Sequence, residues 1–386
     1  MKKLLIFTST RADYGILSTL TKKLKANQSL NYEFLVTGSH TLASFGNTIA
    51  EIRNNKEPIF DICEFIVDSS TLKGQAKSFA LASLSFSEVL SRKKFDAAVI
   101  LGDRYEALAF AISCYMYSIP IIHLHGGELT YGSKDDGYRH SITKLATLHF
   151  TSTDNYKRRI IQMGENPKAV FNIGSVSVES IHKHKIDVSK NDCLDKLGLG
   201  SDQRYCMMTL HPETSSNSES SIKAINNCFN ALEGFENICI VITGANFDTN
   251  GRLLNKFIKD KCIPRKIVFT ESLGRENYFS TLFHSDFIIG NSSSGIIEAP
   301  SVAVPTVNIG ERQKGREFGN TVINTSSSII EIKNGIEKAL ELKELINRNK
   351  FICINPYYKD GGINLFIKTI EKFNFDKQKL FFDLEH

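Results

Sequence analysis

Three features that would identify the class of a protein at once are missing from this chain. It has no long basic run: 47 lysines and arginines stand against 42 acidic residues, for a formal net charge of +5. Nothing in this balance favours nucleic-acid binding. The longest apolar stretch, 107–122, is interrupted by two serines and a proline and is too short to span a bilayer. We therefore expect neither a nucleic acid nor a membrane as a partner.

The third missing feature is a metal-binding or disulfide pattern of cysteines. Eight cysteines are scattered along the chain, and none forms a Cys-x-x-Cys pair. Most lie in apolar surroundings, such as Cys239 in NICIVITG. This distribution is typical of reduced, buried thiols in a cytoplasmic protein and predicts no zinc site. The N-terminal stretch MKKLLIF is too short for a signal peptide and predicts a first strand instead.

Short apolar strands alternate with helices along most of the 386 residues, which is typical of doubly wound α/β domains. A polar segment at 176–203 interrupts the alternation, which then begins again. The sequence predicts two Rossmann-like domains, 1–175 and 204–360, joined by a linker at 176–203. Their strand ends are expected to face each other across a ligand-binding cleft. A final amphipathic helix in 361–386 is expected to pack back on the first domain.

Polar clusters follow two successive apolar strands in the first predicted domain. The strand 97–101 ends in Gly-Asp-Arg, and the strand 119–125 is followed by Gly-Gly-Glu. In an open parallel sheet, ligands bind beyond the carboxyl ends of the strands. Carboxylates and imidazoles gathered there suit proton transfer beside an anionic substrate. A strand-end aspartate can also merely cap the next helix, and for Asp103 that alternative stays open. The candidate residues of this rim are Asp103, Arg104, His125, Glu128 and Asp135.

A second candidate site lies at GNSSSG, 290–295, which follows a strand and opens a helix. A loop of small residues with free helix N–H groups suits a diphosphate, and Glu298 is placed to bind ribose hydroxyls. The motif is neither a Walker A loop nor a GxGxxG fingerprint, so ATP hydrolysis is not expected. A serine-rich N-cap without any ligand is the alternative. Arg11, at the start of the first predicted helix, marks a further candidate anion site.

Taken together, the motifs resemble those of one family. STRADYG, VTGSH, LGDRYE, IIHLHGGE, RHSITK, HPET, IGNSSSGIIEAPS and NIGERQKGRE occur in this order over roughly residues 2–376. They are similar to the motifs of the hydrolysing UDP-N-acetylglucosamine 2-epimerases of bacterial sialic-acid and capsule biosynthesis. That family has the glycosyltransferase-B fold, two Rossmann-like domains around a cleft, which agrees with the alternation described above.

The resemblance implies a reaction. Members of the family convert UDP-N-acetylglucosamine to UDP and N-acetylmannosamine, by anti elimination of UDP to 2-acetamidoglucal and then hydration. The resemblance implies no metal and no cofactor, and a homo-oligomer, either a dimer or a tetramer. A sister group acts on nucleotide-linked 2,4-diacetamido-2,4,6-trideoxy-glucose, on the legionaminic-acid route, and stays open as an alternative. A glycosyltransferase of the same fold and a non-catalytic nucleotide-sugar binder are further alternatives.

The resemblance also implies roles for residues at matching positions. Asp103, Glu128 and Asp135 stand where the family has acid/base groups near the sugar. His125 stands where part of the family has a glutamate; an imidazole suits the same proton transfer or orients the sugar. Which of His125, Glu128 and Asp135 takes the C2 proton stays open. The implied UDP contacts are Arg11, Gly15, Arg104, His211, Asn246, Ser292, Ser293 and Glu298.

Overall fold

The structure is a computed structural model that describes residues 1–42, 48–67, 71–131, 134–183, 188–211, 218–244, 249–264, 266–271, 273–376 and 379–384. The chain divides into two compact units, each built around a parallel sheet with helices. The first unit comprises Met1–Glu128, Lys134–Glu179 and Tyr357–His386, and the second comprises Leu129–Ser133 and Ser180–Pro356. Within the described ranges, no helix combines the length and apolar character needed to cross a membrane.

The sheet of the first unit contains seven described strands. They are β1 Lys2–Thr8, β2 Leu30–Thr37, β3 Ile59–Cys63, β4 Ala97–Leu101, β5 Ile121–Leu124, β6 Leu148–Thr151 and β7 Val170–Asn172. All pair in parallel, in the order β3-β2-β1-β4-β5-β6-β7. In β1, Leu4 and Ile6 enter one hydrophobic core. Leu5 and Phe7 enter the core on the opposite face, because successive side chains of a strand alternate.

Helices cover both faces of this sheet, which is why its strands are apolar almost throughout. The helices are α1 Arg11–Leu24, α2 Ile49–Asn54, α3 Leu72–Leu90, α4 Tyr105–Met116, α5 Lys134–Leu145 and α6 Asp154–Gln162. Thr10 caps α1 in a capping box with Asp13. Short 3₁₀ helices occupy Gly38–Thr41 and Pro167–Ala169. The segment 176–203 holds two helices, α7 Val176–Lys183 and α8 Lys190–Lys196.

The second unit repeats the architecture with a six-stranded sheet among its described residues. Its strands are β8 Arg204–Thr209, β9 Ile238–Thr243, β10 Ile267–Thr270, β11 Ile288–Gly290, β12 Thr306–Ile309 and β13 Val322–Thr325. They pair in parallel in the order β10-β9-β8-β11-β12-β13. The helices are α9 Ser218–Leu232, α10 Thr249–Asp260, α11 Gly274–His284, α12 Ser293–Ile297 and α13 Ile329–Asn347, with a 3₁₀ helix at Ala299–Val302.

The last helix, α14 Gly362–Lys372, belongs to the first unit. Its buried face carries Ile363, Phe366 and Ile370 into the core around β1 and α1. The Phe366 ring lies 4.7 Å from that of Phe150 in β6. The ammonium group of Lys2 donates to the carbonyl of Ile370 at 2.8 Å, at the end of the helix. A cation there satisfies carbonyls that have no partner inside the helix.

Candidate functional site

Two adjacent strands of the first sheet, β4 and β5, end side by side, with Leu101 paired to Leu124. Gly102 follows β4 with φ of 89°, and His125 follows β5 with φ of 63°. Left-handed backbone is costly for a residue with a Cβ, so the surroundings of His125 must hold it in place. The backbone N–H of His125 donates to the carbonyl of Phe150 in β6 at 2.9 Å. The strand ends therefore present the predicted cluster at one edge of the sheet.

Arg139 of α5 ties these strand ends together. Its guanidinium is buried and donates to the Asp103 carboxylate and to Oδ1 of Asp136, the latter at 2.8 Å. It also donates to the backbone carbonyl of Glu128 at 2.7 Å. The N-cap of α4 is Arg104, without a side-chain cap, whereas the Asp103 carboxylate pairs with Arg139. Arg139 belongs to the charged segment 135–140, which the sequence places one loop after β5, and only the structure identifies its partners.

The carboxylate of Glu128 is a second hub in the same cluster. Glu128 is 3% exposed. Its Oε1 lies 2.9 Å from Nδ1 of His125 and accepts a hydrogen bond from the Ser152 hydroxyl at 2.8 Å. Ser152 follows β6, the neighbour of β5, and lies among the polar residues at the end of that strand. The other ring nitrogen of His125, Nε2, is buried and has no hydrogen-bond partner among the described residues.

The remaining candidates of the first unit lie along the same edge of the sheet. Asp135 is half-buried in the first turn of α5. The guanidinium of Arg104 pairs with buried Glu106. The negative charge of Glu106 raises the pKa of Arg104, and Asp135 makes a smaller contribution in the same direction. Arg11 and Gly15 lie in α1, which follows β1, and β1 is the neighbour of β4.

In the second unit, the loop after β11 is held by the loops after two neighbouring strands. The Asn291 side chain bonds to the backbone of His211, which follows β8. Arg312 and Gln313, which follow β12, donate to the Asn291 carbonyl at 2.9 and 2.8 Å. Burial, together with the positive charge of Arg312, lowers the pKa of His211 to about 3. His211 is therefore a neutral hydrogen-bonding group at physiological pH.

The predicted diphosphate loop begins α12. The Ser292 hydroxyl caps the helix by accepting from the N–H of Ser294 at 3.3 Å, and Ser293 is its first residue. Glu298 follows directly after α12. The Tyr278 hydroxyl donates to the Ser294 hydroxyl at 2.7 Å. Asn246, the remaining candidate, lies outside the described residues.

Only glycine fits at the entrance to this loop. Gly290 has φ of 136°, and a Cβ there would lie 2.0 Å from the carbonyl oxygen of Thr209 in β8. The backbones of β8 and β11 therefore approach closely where the loop begins. Within the described ranges, no group of three or more His, Cys, Asp or Glu side chains is placed to hold a metal ion.

Comparison with known proteins places the chain among sugar-nucleotide epimerases. A sequence model of the UDP-N-acetylglucosamine 2-epimerase family matches residues 22–371. Polysialic acid biosynthesis protein P7 of Escherichia coli is 35% identical, over 98% of this chain and 96% of that protein. The GDP/UDP-N,N'-diacetylbacillosamine 2-epimerase (hydrolyzing) of Campylobacter jejuni is 36% identical, over 99% of both chains.

A solved structure shows the same fold. The crystal structure of UDP-GlcNAc 2-epimerase from Neisseria meningitidis, bound to UDP-GlcNAc, matches with a TM-score of 0.79. The match covers 97% of this chain and 100% of that one at 17% sequence identity. The α/β fold of glycosyltransferase-B type that the sequence predicted is thereby confirmed.

Proposed function

Because the chain belongs to the UDP-N-acetylglucosamine 2-epimerase family, we propose that it is a hydrolysing enzyme that converts UDP-N-acetylglucosamine to UDP and N-acetylmannosamine for sialic-acid synthesis. Supporting this is the cluster at the ends of β4 and β5, in which half-buried Asp103 accompanies buried His125 and Glu128. The hydrogen on C2 of an acetamido sugar is not acidic, so its removal needs a positioned base. A transferase or a passive binder of nucleotide sugars has no need of such a cluster.

The proposed reaction consumes one water and needs no acceptor. In the elimination, the C2–H bond breaks and its electrons form the C1–C2 double bond of 2-acetamidoglucal. The C1–O bond breaks at the same time, and UDP leaves with that electron pair. The hydroxyl of water then adds to C1, and a proton adds to C2 on the opposite face from the one that left. Two different groups must therefore handle the two protons, as a cluster with several acid/base side chains allows.

The proposed role of the second unit is to bind the leaving group. Negative charge develops on the diphosphate as the C1–O bond breaks, and fixed donors stabilise it best. In this proposal the Ser292 and Ser293 hydroxyls and nearby backbone N–H groups face the phosphates, and Glu298 binds ribose. The loop is already held from both sides through Asn291. The residues that we propose as UDP contacts are those that the family resemblance implies: Arg11, Gly15, Arg104, His211, Asn246, Ser292, Ser293 and Glu298.

A second substrate is favoured by one specific observation. The relative from Campylobacter jejuni, 36% identical over 99% of both chains, is named for a diacetylbacillosamine donor. That sugar, 2,4-diacetamido-2,4,6-trideoxy-glucose, differs from N-acetylglucosamine at C4 and C6, whereas the bonds that react at C1 and C2 are the same. The same cluster therefore serves either donor, and only turnover distinguishes them.

The test is proton NMR of the purified protein with UDP-N-acetylglucosamine in D2O. We expect UDP and N-acetylmannosamine that carries deuterium at C2, without any added acceptor. Turnover of the nucleotide-linked diacetamido sugar alone would identify the second substrate. Release of UDP only when an acceptor is added would indicate a transferase. Binding of UDP without turnover of either donor would indicate a nucleotide-sugar binder. Either of these last two results, a requirement for an acceptor or binding without turnover, would overturn the proposal.

We further propose that the enzyme is a homo-oligomer that works in the cytoplasm. The apolar residues of α4, from Tyr105 to Met116, include the exposed side chains of Tyr115 and Met116, at 63% and 78%. Exposed apolar side chains of this size suit a subunit contact. Light scattering after gel filtration measures the mass directly, and a monomeric mass would contradict this part of the proposal.

A further inference from the structure

The two ring nitrogens of His125 differ, because one has a hydrogen-bond partner and the other has none among the described residues. The Nδ1 atom faces the Glu128 carboxylate at 2.9 Å. The Nε2 atom is buried and has no hydrogen-bond partner among the described residues, in a residue that is only 9% exposed. Buried polar atoms in proteins nearly always have a hydrogen-bond partner. One without a partner either lowers the stability of the fold or has a function, such as binding or proton transfer.

The contacts of Glu128 decide where the proton of a neutral His125 lies. A carboxylate accepts hydrogen bonds, so the ring nitrogen facing it carries the hydrogen. Nδ1 is then the donor, and Nε2 holds the lone pair. The backbone of His125 is pinned to β6 through its N–H, and its φ of 63° shows that this position is maintained against a conformational cost.

The carboxylates nearby are already engaged by donors. Oε1 of Glu128 accepts from both His125 and Ser152. The Asp103 carboxylate accepts from the buried guanidinium of Arg139. Among the described residues, His125 is the buried side chain of this cluster that has a buried polar atom without a hydrogen-bond partner.

We propose that Nε2 of His125 takes the C2 proton of the substrate, and that Glu128 and Ser152 are positioning residues that orient the imidazole. This assignment rests on the proposed function. As the C2–H bond breaks, its proton passes to Nε2, its electrons form the C1–C2 double bond, and UDP leaves with the C1–O pair. The imidazolium that results lies beside the Glu128 carboxylate, which stabilises the new positive charge. The proton then passes to solvent, and a different group delivers a proton to the other face of C2.

Ser152 has a defined part in this arrangement. Its hydroxyl is buried and donates to the same oxygen, Oε1, that faces His125. Loss of this bond removes one of the contacts that orient the Glu128 carboxylate toward the ring, without removing any group that touches the substrate. A threonine keeps the hydroxyl, so Ser152→Thr is the matched control for Ser152→Ala.

The decisive variant is His125→Asn. The asparagine amide nitrogen can take the place of Nδ1 and donate to Glu128, but no atom replaces Nε2. Asparagine also tolerates left-handed backbone better than most residues, so the turn is preserved. Turnover, thermal stability and the binding of UDP alone are measured, together with the kinetic isotope effect of a substrate deuterated at C2.

We expect kcat of His125→Asn to fall about 10²- to 10⁴-fold, the usual contribution of a general base. UDP binding should stay near that of the wild type, and the isotope effect should rise because C–H cleavage becomes rate-limiting. Ser152→Ala should lose about tenfold to a hundredfold in kcat, with a raised isotope effect, and Ser152→Thr should restore both. A merely structural role would not move the isotope effect.

Failure of this assignment can be told from failure of the proposed function. Wild-type protein that releases no UDP from either donor overturns both. If the wild type turns over and His125→Asn has the same isotope effect as the wild type, only the assignment to His125 is overturned. The proposed function then stands. Should His125→Asn not fold, Ser152→Ala decides, because it leaves the turn intact: unchanged kcat and isotope effect there would overturn the assignment.

Discussion

The side chain of Asn291 forms two hydrogen bonds with the backbone of a single residue, His211. Its Oδ1 accepts from the His211 N–H at 2.7 Å, and its Nδ2 donates to the His211 carbonyl at 2.9 Å. Asn291 is 4% exposed. It therefore joins the ends of β8 and β11 in the way that a paired strand would, at the point where both strands have already ended.

Asn291→Asp should weaken the second unit. The aspartate has the same shape but replaces the donor with an oxygen that faces the His211 carbonyl. We expect the free energy of unfolding to fall by about 1–3 kcal/mol and UDP binding to weaken, as measured by urea denaturation and calorimetry. Asn227→Asp is the control, because Asn227 also donates to a carbonyl, that of Ser327, but in an exposed setting. Equal effects of the two substitutions would contradict this prediction.

Arg139→Lys tests whether activity requires the several fixed donors of the guanidinium group or only its positive charge. Lysine keeps the charge but cannot donate at fixed angles to Asp103, Asp136 and the Glu128 carbonyl together. We expect kcat/KM to fall about 100-fold, the usual effect of a misplaced catalytic group. Arg158→Lys is the control, since Arg158 bonds to Asn155 at an exposed site. Steady-state kinetics near the wild-type values in Arg139→Lys would show that charge alone suffices.

His123 should make the protein less stable in acid. Burial lowers its pKa to about 3, against the opposing effect of its contact with the Gly102 carbonyl. Because the folded value lies below the unfolded value of about 6.5, stability is complete above pH 6.5 and decreases as the pH falls toward 3. The loss from this group should be about 2 kcal/mol at pH 5.

The measurement is the difference in urea unfolding between pH 7.5 and pH 5. In His123→Gln this difference should shrink by about the same 2 kcal/mol. Part of it should remain, because burial also lowers the pKa of His149. An unchanged difference in the variant would show that His123 is not the group that titrates.

Lys379 should hold the C-terminal segment 379–384 on the first unit. Its ammonium donates to the carbonyls of Lys144 and Ala146 at 2.6 and 2.7 Å and lies 2.8 Å from the buried Glu165. Lys379→Met should make local opening of this segment easier by about 1.5–3 kcal/mol, the usual contribution of hydrogen bonds to a charged group. The measurement is the rate of proteolysis or hydrogen exchange of the segment, which should be faster in Lys379→Met than in the wild type. Exposed Lys372 provides the control substitution, Lys372→Met, which should leave protection of the segment unchanged.

The sequence predicted the α/β class well, because its evidence is local. An apolar strand, a turn and an amphipathic helix can each be recognised within a window of a dozen residues. The positions of Asp103 and Glu128 after strands followed from the same alternation, and the structure has them after β4 and β5. His125 was expected as the last residue of its strand, but β5 ends at Leu124 and His125 follows it. The roles of these residues remain proposals.

Hydrogen-bond partners were beyond such reasoning. Glu128 and Ser152 are far apart in sequence, and their side chains meet because β5 and β6 are neighbours in the sheet. His211 and Asn291 meet because β8 pairs with β11, although two strands intervene along the chain. Strand order depends on which helices pack on which face, a property of the whole unit.

The amino-acid order therefore specified which residues come at strand ends, because side-chain alternation and helix periodicity act over short distances. The folded chain alone assigned each of these residues its partners and its exposure. Nδ1 of His125 faces a carboxylate and Nε2 is left unpaired, and this difference between two atoms of one ring arises from residues brought together by long-range packing of the sheet.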